Sequence, residues 1–232
     1  SLSIVDLERR SFAGEIATRG CSLVYAAGAR RFFTVCGDGT LLLVELDDEG
    51  NAIRKARSQP FFDPEADPVT EKAVRRGDVW YFLSFEGHVH EVDVSGALPA
   101  FREPWSLFDE DDREDRWRVG GRQLAAVHRQ SGRLYVLVHQ GGPDTHKDAG
   151  SEAWVYDLAT RTRSARIALR NPGLTYLGVS MAFGEDWIWP FNRIYDWILS
   201  LAPLGVSCLE VTQDEDPLLV TGSEFSGALG LY

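Results

Sequence analysis

Five histidines, three cysteines and one dense acidic run are the residues whose types could support chemistry. His88 and His90 are one residue apart, so on a strand their rings share a face and could begin a metal site. No third ligand accompanies them, and polar strand positions beside a turn are the preferred reading. His139 and His146 bracket a turn-rich stretch, Gln140-Gly141-Gly142-Pro143-Asp144-Thr145, that could bring the two rings together without forcing them to meet. Asp109-Glu110-Asp111-Asp112-Arg113-Glu114-Asp115 has the charge of a calcium site but lacks the ligand and glycine spacing of an EF-hand. It reads as a solvated loop. Cys21 and Cys36 lie in two strand-like segments joined by a short turn. They are either a cross-strand disulfide or two buried thiols, and spacing leaves both open. No cysteine pair has the C-x-x-C spacing of a zinc site, and G-x-S-x-G, H-E-x-x-H and the P-loop are all missing. No nucleophile, base and orienter can be assembled.

The elements that would position these residues are strands. A short apolar run ending in an acid and another apolar residue recurs as Ile4-Val5-Asp6-Leu7, Leu43-Val44-Glu45-Leu46, Glu91-Val92-Asp93-Val94 and Val155-Tyr156-Asp157-Leu158. The acids fall at 6, 45, 93 and 157, a step near that of one propeller blade, ~40–50 residues, with one longer insert. Taking this run as the last beat of each unit, residues 14–18, 21–25, 30–36 and 40–46 form a four-stranded meander with a hairpin at Gly37-Asp38-Gly39. The pattern returns at 79–94, at 123–158 and at 209–232, and residues 2–7 stand as a lone outer strand. A four-stranded sheet with two apolar faces buries both by stacking radially with others, so the expected fold is an all-β propeller of about four blades in a single domain over 1–232. Beginning and ending on outer strands, it reads as an open arc from a larger ring.

In this framing the long inserts, 58–68, 104–121, 140–151 and 170–206, join first to second or third to fourth strands and so share one end, the expected working face. The stretch 184–200 breaks the β pattern with Trp187, Trp189 and Trp197, and becomes helical in spacing from Arg193 onward. It either plugs sheet edges or offers aromatic anchors to a partner. A formal net charge of −11 argues against nucleic acid or an anionic membrane as partner. No run of ~18 apolar residues could span a bilayer. Ser1 does not open a secretory signal, which leaves a cytosolic chain, a processed chain or an internal piece.

Several blocks resemble one family closely. Gly20-Cys21 and Arg31-Phe32-Phe33-Thr34-Val35-Cys36-Gly37-Asp38-Gly39 are similar to a stretch of the heavy subunit of methylamine dehydrogenase and aromatic amine dehydrogenase. So are Pro60-Phe61-Phe62-Asp63-Pro64, Gly121-Arg122-Gln123-Leu124-Ala125-Ala126-Val127-His128 and Arg133-Leu134-Tyr135-Val136-Leu137-Val138-His139-Gln140-Gly141-Gly142, with Thr145-His146-Lys147 ahead of Glu152-Ala153-Trp154. The likeness runs over about 1–172 and resumes near Leu209. It implies a seven-bladed propeller in the periplasm, two heavy subunits paired with two light ones. The light subunit carries tryptophan tryptophylquinone, and a primary amine becomes aldehyde and ammonia with electrons passed to a small copper protein. It also implies a disulfide between Cys21 and Cys36. The front region that holds the family's channel-lining aromatic has no counterpart here, so no catalytic residue and no cofactor carry over to this chain. His139, Gln140, Asp144, His146, Trp187, Trp189 and Trp197 are the expected partner-facing residues. The Trp-rich stretch, longer than methylamine dehydrogenase itself would carry, favours a divergent amine dehydrogenase. A stand-alone protein-binding propeller is the alternative, and an enzyme with its own site in the propeller funnel is the weakest reading.

Overall fold

A computed structural model describes residues 1–169, 175–176, 179–180, 205–223 and 229–232. The chain packs as two compact units, the first made of Ser1–Glu71, Gly77–Ser84 and Val89–Pro104, the second of Lys72–Arg76, Phe85–His88 and Trp105–Tyr232.

In the first unit, β1 (Leu2–Asp6) pairs antiparallel with β2 (Ser11–Ile16). Strands β3 (Cys21–Gly28), β4 (Arg31–Cys36), β5 (Leu41–Leu46) and β6 (Ala52–Arg57) form a four-stranded antiparallel meander in chain order. The two central strands read as continuous apolar runs, Arg31-Phe32-Phe33-Thr34-Val35-Cys36 and Leu41-Leu42-Leu43-Val44, because both of their faces are covered. β6 is Ala-Ile-Arg-Lys-Ala-Arg and almost wholly exposed. Charge along such an edge discourages pairing with another chain. The unit's core is aromatic. Tyr25 stacks on Phe33 at 5.1 Å and meets Phe82 edge-on at the same distance. The Tyr25 hydroxyl donates to the Glu71 carbonyl at 2.9 Å, and burial, then nearby Glu71, push its phenol up to about 12. After β7 (Val74–Arg76), which belongs to the second unit, β8 (Val79–Leu83), β9 (His88–Asp93) and β10 (Ala100–Phe101) run antiparallel in turn. Arg31 ties two sheets of this unit together, donating to the carbonyls of Gly96 (2.8 Å) and Val94.

In the second unit, β11 (Trp105–Ser106), α1 (Glu110–Glu114) and β12 (Trp117–Val119) precede β13 (Ala125–His128), β14 (Arg133–Gln140), β15 (Glu152–Asp157) and β16 (Thr162–Ala168). β14 is long enough to take β13 along its first half and β12 along its second, then pairs with β15, which pairs with β16. A two-stranded pair, β17 (Thr175–Tyr176) with β18 (Val179–Ser180), and a three-stranded sheet of β19 (Cys208–Val211), β20 (Leu219–Gly222) and β21 (Leu229–Leu231) complete the described residues. Within this unit, strand ends are held through polar groups at matching places. Arg76, last in β7, donates to the Arg129 carbonyl at 2.8 Å, and His128, last in β13, meets the Asp214 carbonyl at 3.0 Å.

The strand framing shifts by one place. The acidic beat is not the last strand of each unit, because β1, β5, β9 and β15 are each followed by a further strand, β2, β6, β10 and β16. Residues 2–7 are therefore not alone, and 14–16 belong with them rather than with the next sheet. The acids initiate the turn into that outer strand. Asp6 accepts from the amides of Glu8 and Arg9, Asp93 from Ser95, and Asp157 from Ala159 and Thr160. Glu45 departs from this pattern because Asp47 caps its turn instead, accepting from Glu49 and Asn51. Glu45 is left to pair with Arg54, its register partner, at 3.5 Å. Glutamate on one strand paired with arginine at the next recurs as Glu91–Arg102 at 3.4 Å and Glu152–Arg166 at 2.8 Å. With the strands renumbered, 58–68 and 104–121 join a fourth strand to the next first strand, and 140–151 joins a second to a third. Within its own sheet each such connection leaves from the end opposite to the short turn that the acid opens, and the 170–206 insert lies largely outside the described residues.

Candidate partner interface

The best-built of these connections is the one between β14 and β15. β14 delivers His139 at its penultimate residue, buried, with Nε2 2.9 Å from the Thr145 hydroxyl oxygen. That hydroxyl already donates to the Gly142 carbonyl at 2.7 Å, so it accepts from His139 and the proton of the neutral ring sits on Nε2. Nδ1 then carries the lone pair and meets no hydrogen-bond partner among the described residues. The ring lies against two glycines. A Cβ on Gly120 would fall 2.4 Å from Nδ1, and one on Gly141 2.7 Å from Nε2. Backbone bonds close the loop around it, from Gly121 to the Asp148 carbonyl at 2.6 Å and from Gly141 to the Arg116 carbonyl at 2.9 Å. Burial holds the imidazole below its ordinary value. Asp148 works against this and Arg118 adds to it. Arg118 is the register partner of His139 and binds Glu86 at 2.6 Å.

The other expected partner-facing residues divide. Gln140 is exposed and its amide donates to the Asp115 carbonyl at 2.9 Å. Asp144 is exposed at the loop tip with φ at 64°. His146 does not meet His139 through a hydrogen bond but stacks on Phe85 at 3.5 Å, nearly parallel. Trp187, Trp189 and Trp197, and the helical reading that begins at Arg193, lie outside the described residues. Arg118, Gly120 and Phe85 went unrecognised in the sequence, and Thr145 was noted only within its turn-rich stretch. β12 is three residues long, and Phe85 arrives from another connection, so neither leaves a periodic signal.

The acidic run is more than a solvated loop. Asp109 caps α1 in a reciprocal box with Asp112, and Asp112 is buried. Arg163 on β16 reaches it at 2.6 Å and lies 4.2 Å above the Trp154 ring. Arg166 lies 4.7 Å above both Trp117 and Trp154. Burial works to raise the Glu152 carboxyl, but bonds from Arg166 and Trp154 outweigh it and hold the group below the usual range. Outer-strand arginines thus clamp the 104–121 connection to its sheet. His90 is buried with its ring edge-on to Phe61 at 5.9 Å, and no three His, Cys, Asp or Glu side chains converge among the described residues. Cys21 and Cys36, opposite each other on β3 and β4, are joined by a disulfide, and Cys208 is a free exposed thiol.

Residues 1–178 match the family described as methylamine dehydrogenase heavy chain. The chain belongs to that family. It is 29% identical over 174 residues to the methylamine dehydrogenase heavy chain of Methylobacillus flagellatus, covering 73% of this chain and 42% of that one. With the heavy chain of Paracoccus versutus the identity is 30% over 172 residues, covering 73% and 39%. The family member described here therefore spans about two-fifths of the length of these relatives. Among solved structures, the β-propeller domain of Cps50 (Swd1) from Myceliophteria thermophila superposes with a TM-score of 0.50 at 8% identity, over 91% of this chain and 52% of that one. That likeness concerns fold alone, and it makes the antiparallel meanders propeller blades.

Proposed function

We propose that this chain acts as the non-catalytic heavy-subunit part of a quinone-dependent amine dehydrogenase, a single propeller domain over 1–232 that scaffolds a cofactor-bearing light subunit. The family match over 1–178 carries the reading. In this reading a primary amine and water give aldehyde, ammonia, two protons and two electrons on the light subunit, where tryptophan tryptophylquinone would supply the electron-accepting chemistry. The electrons leave for a small copper protein, and the assembly of two heavy and two light subunits works in the periplasm. The work of this chain is binding and positioning. Gln140, at the end of β14, and Asp144, in the connection between β14 and β15, serve as docking residues, and Trp187, Trp189 and Trp197 are further aromatic anchors on the strength of the sequence alone. His139 and Thr145 serve beneath the first two by fixing the loop that presents them. Co-expression with a methylamine dehydrogenase light chain tests the proposal. A co-purifying pair is expected, and a chain that purifies alone beside a folded light chain would leave the stand-alone scaffold in its place.

A further inference from the structure

We propose that His139 is a proton-sensitive latch: the neutral ring holds the 141–150 loop closed, and protonation releases it. The closed loop accepts only one protonation state. Nε2 has its acceptor in Thr145, fixed by the bond from that hydroxyl to the Gly142 carbonyl. A second proton would have to sit on Nδ1, which is packed against the Gly120 backbone so tightly that a Cβ there would lie 2.4 Å away. No acceptor among the described residues meets Nδ1. An imidazolium N–H buried there would be both charged and unsatisfied, the costliest way to bury a polar group.

The charged and titratable groups around the ring are Arg118 from β12, Glu86 holding Arg118, and Asp148 and His146 from the loop itself. Asp148 favours the cation, while burial and Arg118 oppose it more strongly, so the closed-state value lies below the ordinary one. An open loop exposes a histidine titrating near ~6.5. The open state therefore binds the proton more readily. Closure is fully favoured above that value, and the opening constant rises by up to about tenfold per pH unit as pH falls from there toward the depressed closed-state value.

The test is amide hydrogen exchange on the full chain at pH 7 and pH 5.5, corrected for intrinsic rates and read at Gly141, Asp148 and Gly150, whose amides are bonded in the closed loop. Wild type should lose up to about tenfold in protection at these amides at pH 5.5. His139→Gln, whose amide nitrogen can replace Nε2 but does not titrate, should hold its protection. His146→Phe, which keeps a ring on Phe85, should behave as wild type. Equal pH dependence in wild type and His139→Gln overturns the latch, as does its disappearance in His146→Phe. Should His139→Gln fail to fold, nitrogen-15 spectra of the wild-type ring decide. An Nε2–H tautomer titrating below 6.5 with the midpoint of loop opening supports the proposal, and a ring titrating at or above 6.5 overturns it. The link to partner binding rests on the docking role proposed above and fails separately: a working latch with light-subunit affinity unchanged at pH 5.5 would remove this loop from the interface and leave the latch standing.

Discussion

Replacing Arg163 by methionine removes the cation that holds the 104–121 connection to its sheet while keeping much of the side chain's apolar volume. The Asp112 side chain is 6% exposed and lies 2.6 Å from the guanidinium. Breaking a fully buried pair costs about 3–5 kcal/mol, because the surviving charge stays desolvated. Arg163 is itself 26% exposed, so water can follow it in, and about 2–3 kcal/mol is the better figure. Loss of the contact with Trp154 at 4.2 Å adds about 0.5–1 kcal/mol. The expected destabilisation is therefore about 3 kcal/mol. Asp112→Asn should cost less, about 1 kcal/mol, because the amide keeps a capping role and Arg163 retains Asp109 at 3.6 Å. The double variant should be more stable than the sum of the single losses implies, by about 2 kcal/mol. Urea unfolding followed by tryptophan fluorescence and far-ultraviolet circular dichroism measures all three. Arg163→Met within about 0.5 kcal/mol of wild type, or no coupling in the cycle, would refute a buried ion pair as the clamp.

Cys36→Ser should lower stability by roughly 3 kcal/mol, the chain-entropy value for a loop of about 15 residues, in urea unfolding under non-reducing conditions. Gly120→Ala should cost about 1–3 kcal/mol and loosen the 141–150 loop in hydrogen exchange, since its Cβ would also fall 2.8 Å from the Asp148 carbonyl; an alanine variant as stable as wild type would show that the ring does not pack as described. The bonds from the Thr160 and Ala159 amides hold the Asp157 carboxyl below its ordinary 3.8. The advantage of wild type over Asp157→Ala should be constant above about pH 5 and shrink as pH falls through the depressed value, which acid titration of the two urea midpoints checks. Trp187→Ala and Trp189→Ala should each weaken light-subunit association by about 2 kcal/mol in a titration while leaving the circular dichroism spectrum unchanged.

The repeat of strands was legible because continuous apolar runs bounded by turn residues mark the central strands locally. Phe32-Phe33-Thr34-Val35 and Leu134-Tyr135-Val136-Leu137 announce central strands in any context. The outer strands β6 and β16 were not legible as the closing strand of each blade. Their residues, Ala-Ile-Arg-Lys-Ala-Arg and Thr-Arg-Ser-Ala-Arg-Ile-Ala, are chosen for an exposed edge and for pairing Arg54 and Arg166 with glutamates on the strand before. That single omission moved every strand by one place. In the candidate interface, the sequence pointed to His139 and His146, but their roles depend on the fold of one loop and on groups from other connections. The tautomer of His139 is set by Thr145 and its packing by Gly120, and His146 finds Phe85. Spacing alone carries none of this, because the Thr145 contact depends on how its loop folds and Gly120 and Phe85 come from other connections.

The most direct test of the heavy-subunit account is purification of the native assembly from the source cells, followed by a visible absorption spectrum before and after addition of a primary amine. The account predicts that this chain co-purifies with a small light subunit, that the complex has a quinone band, and that amine bleaches the band. A monodisperse chain without a partner and without visible absorbance, recovered from cells oxidising the amine, would contradict it.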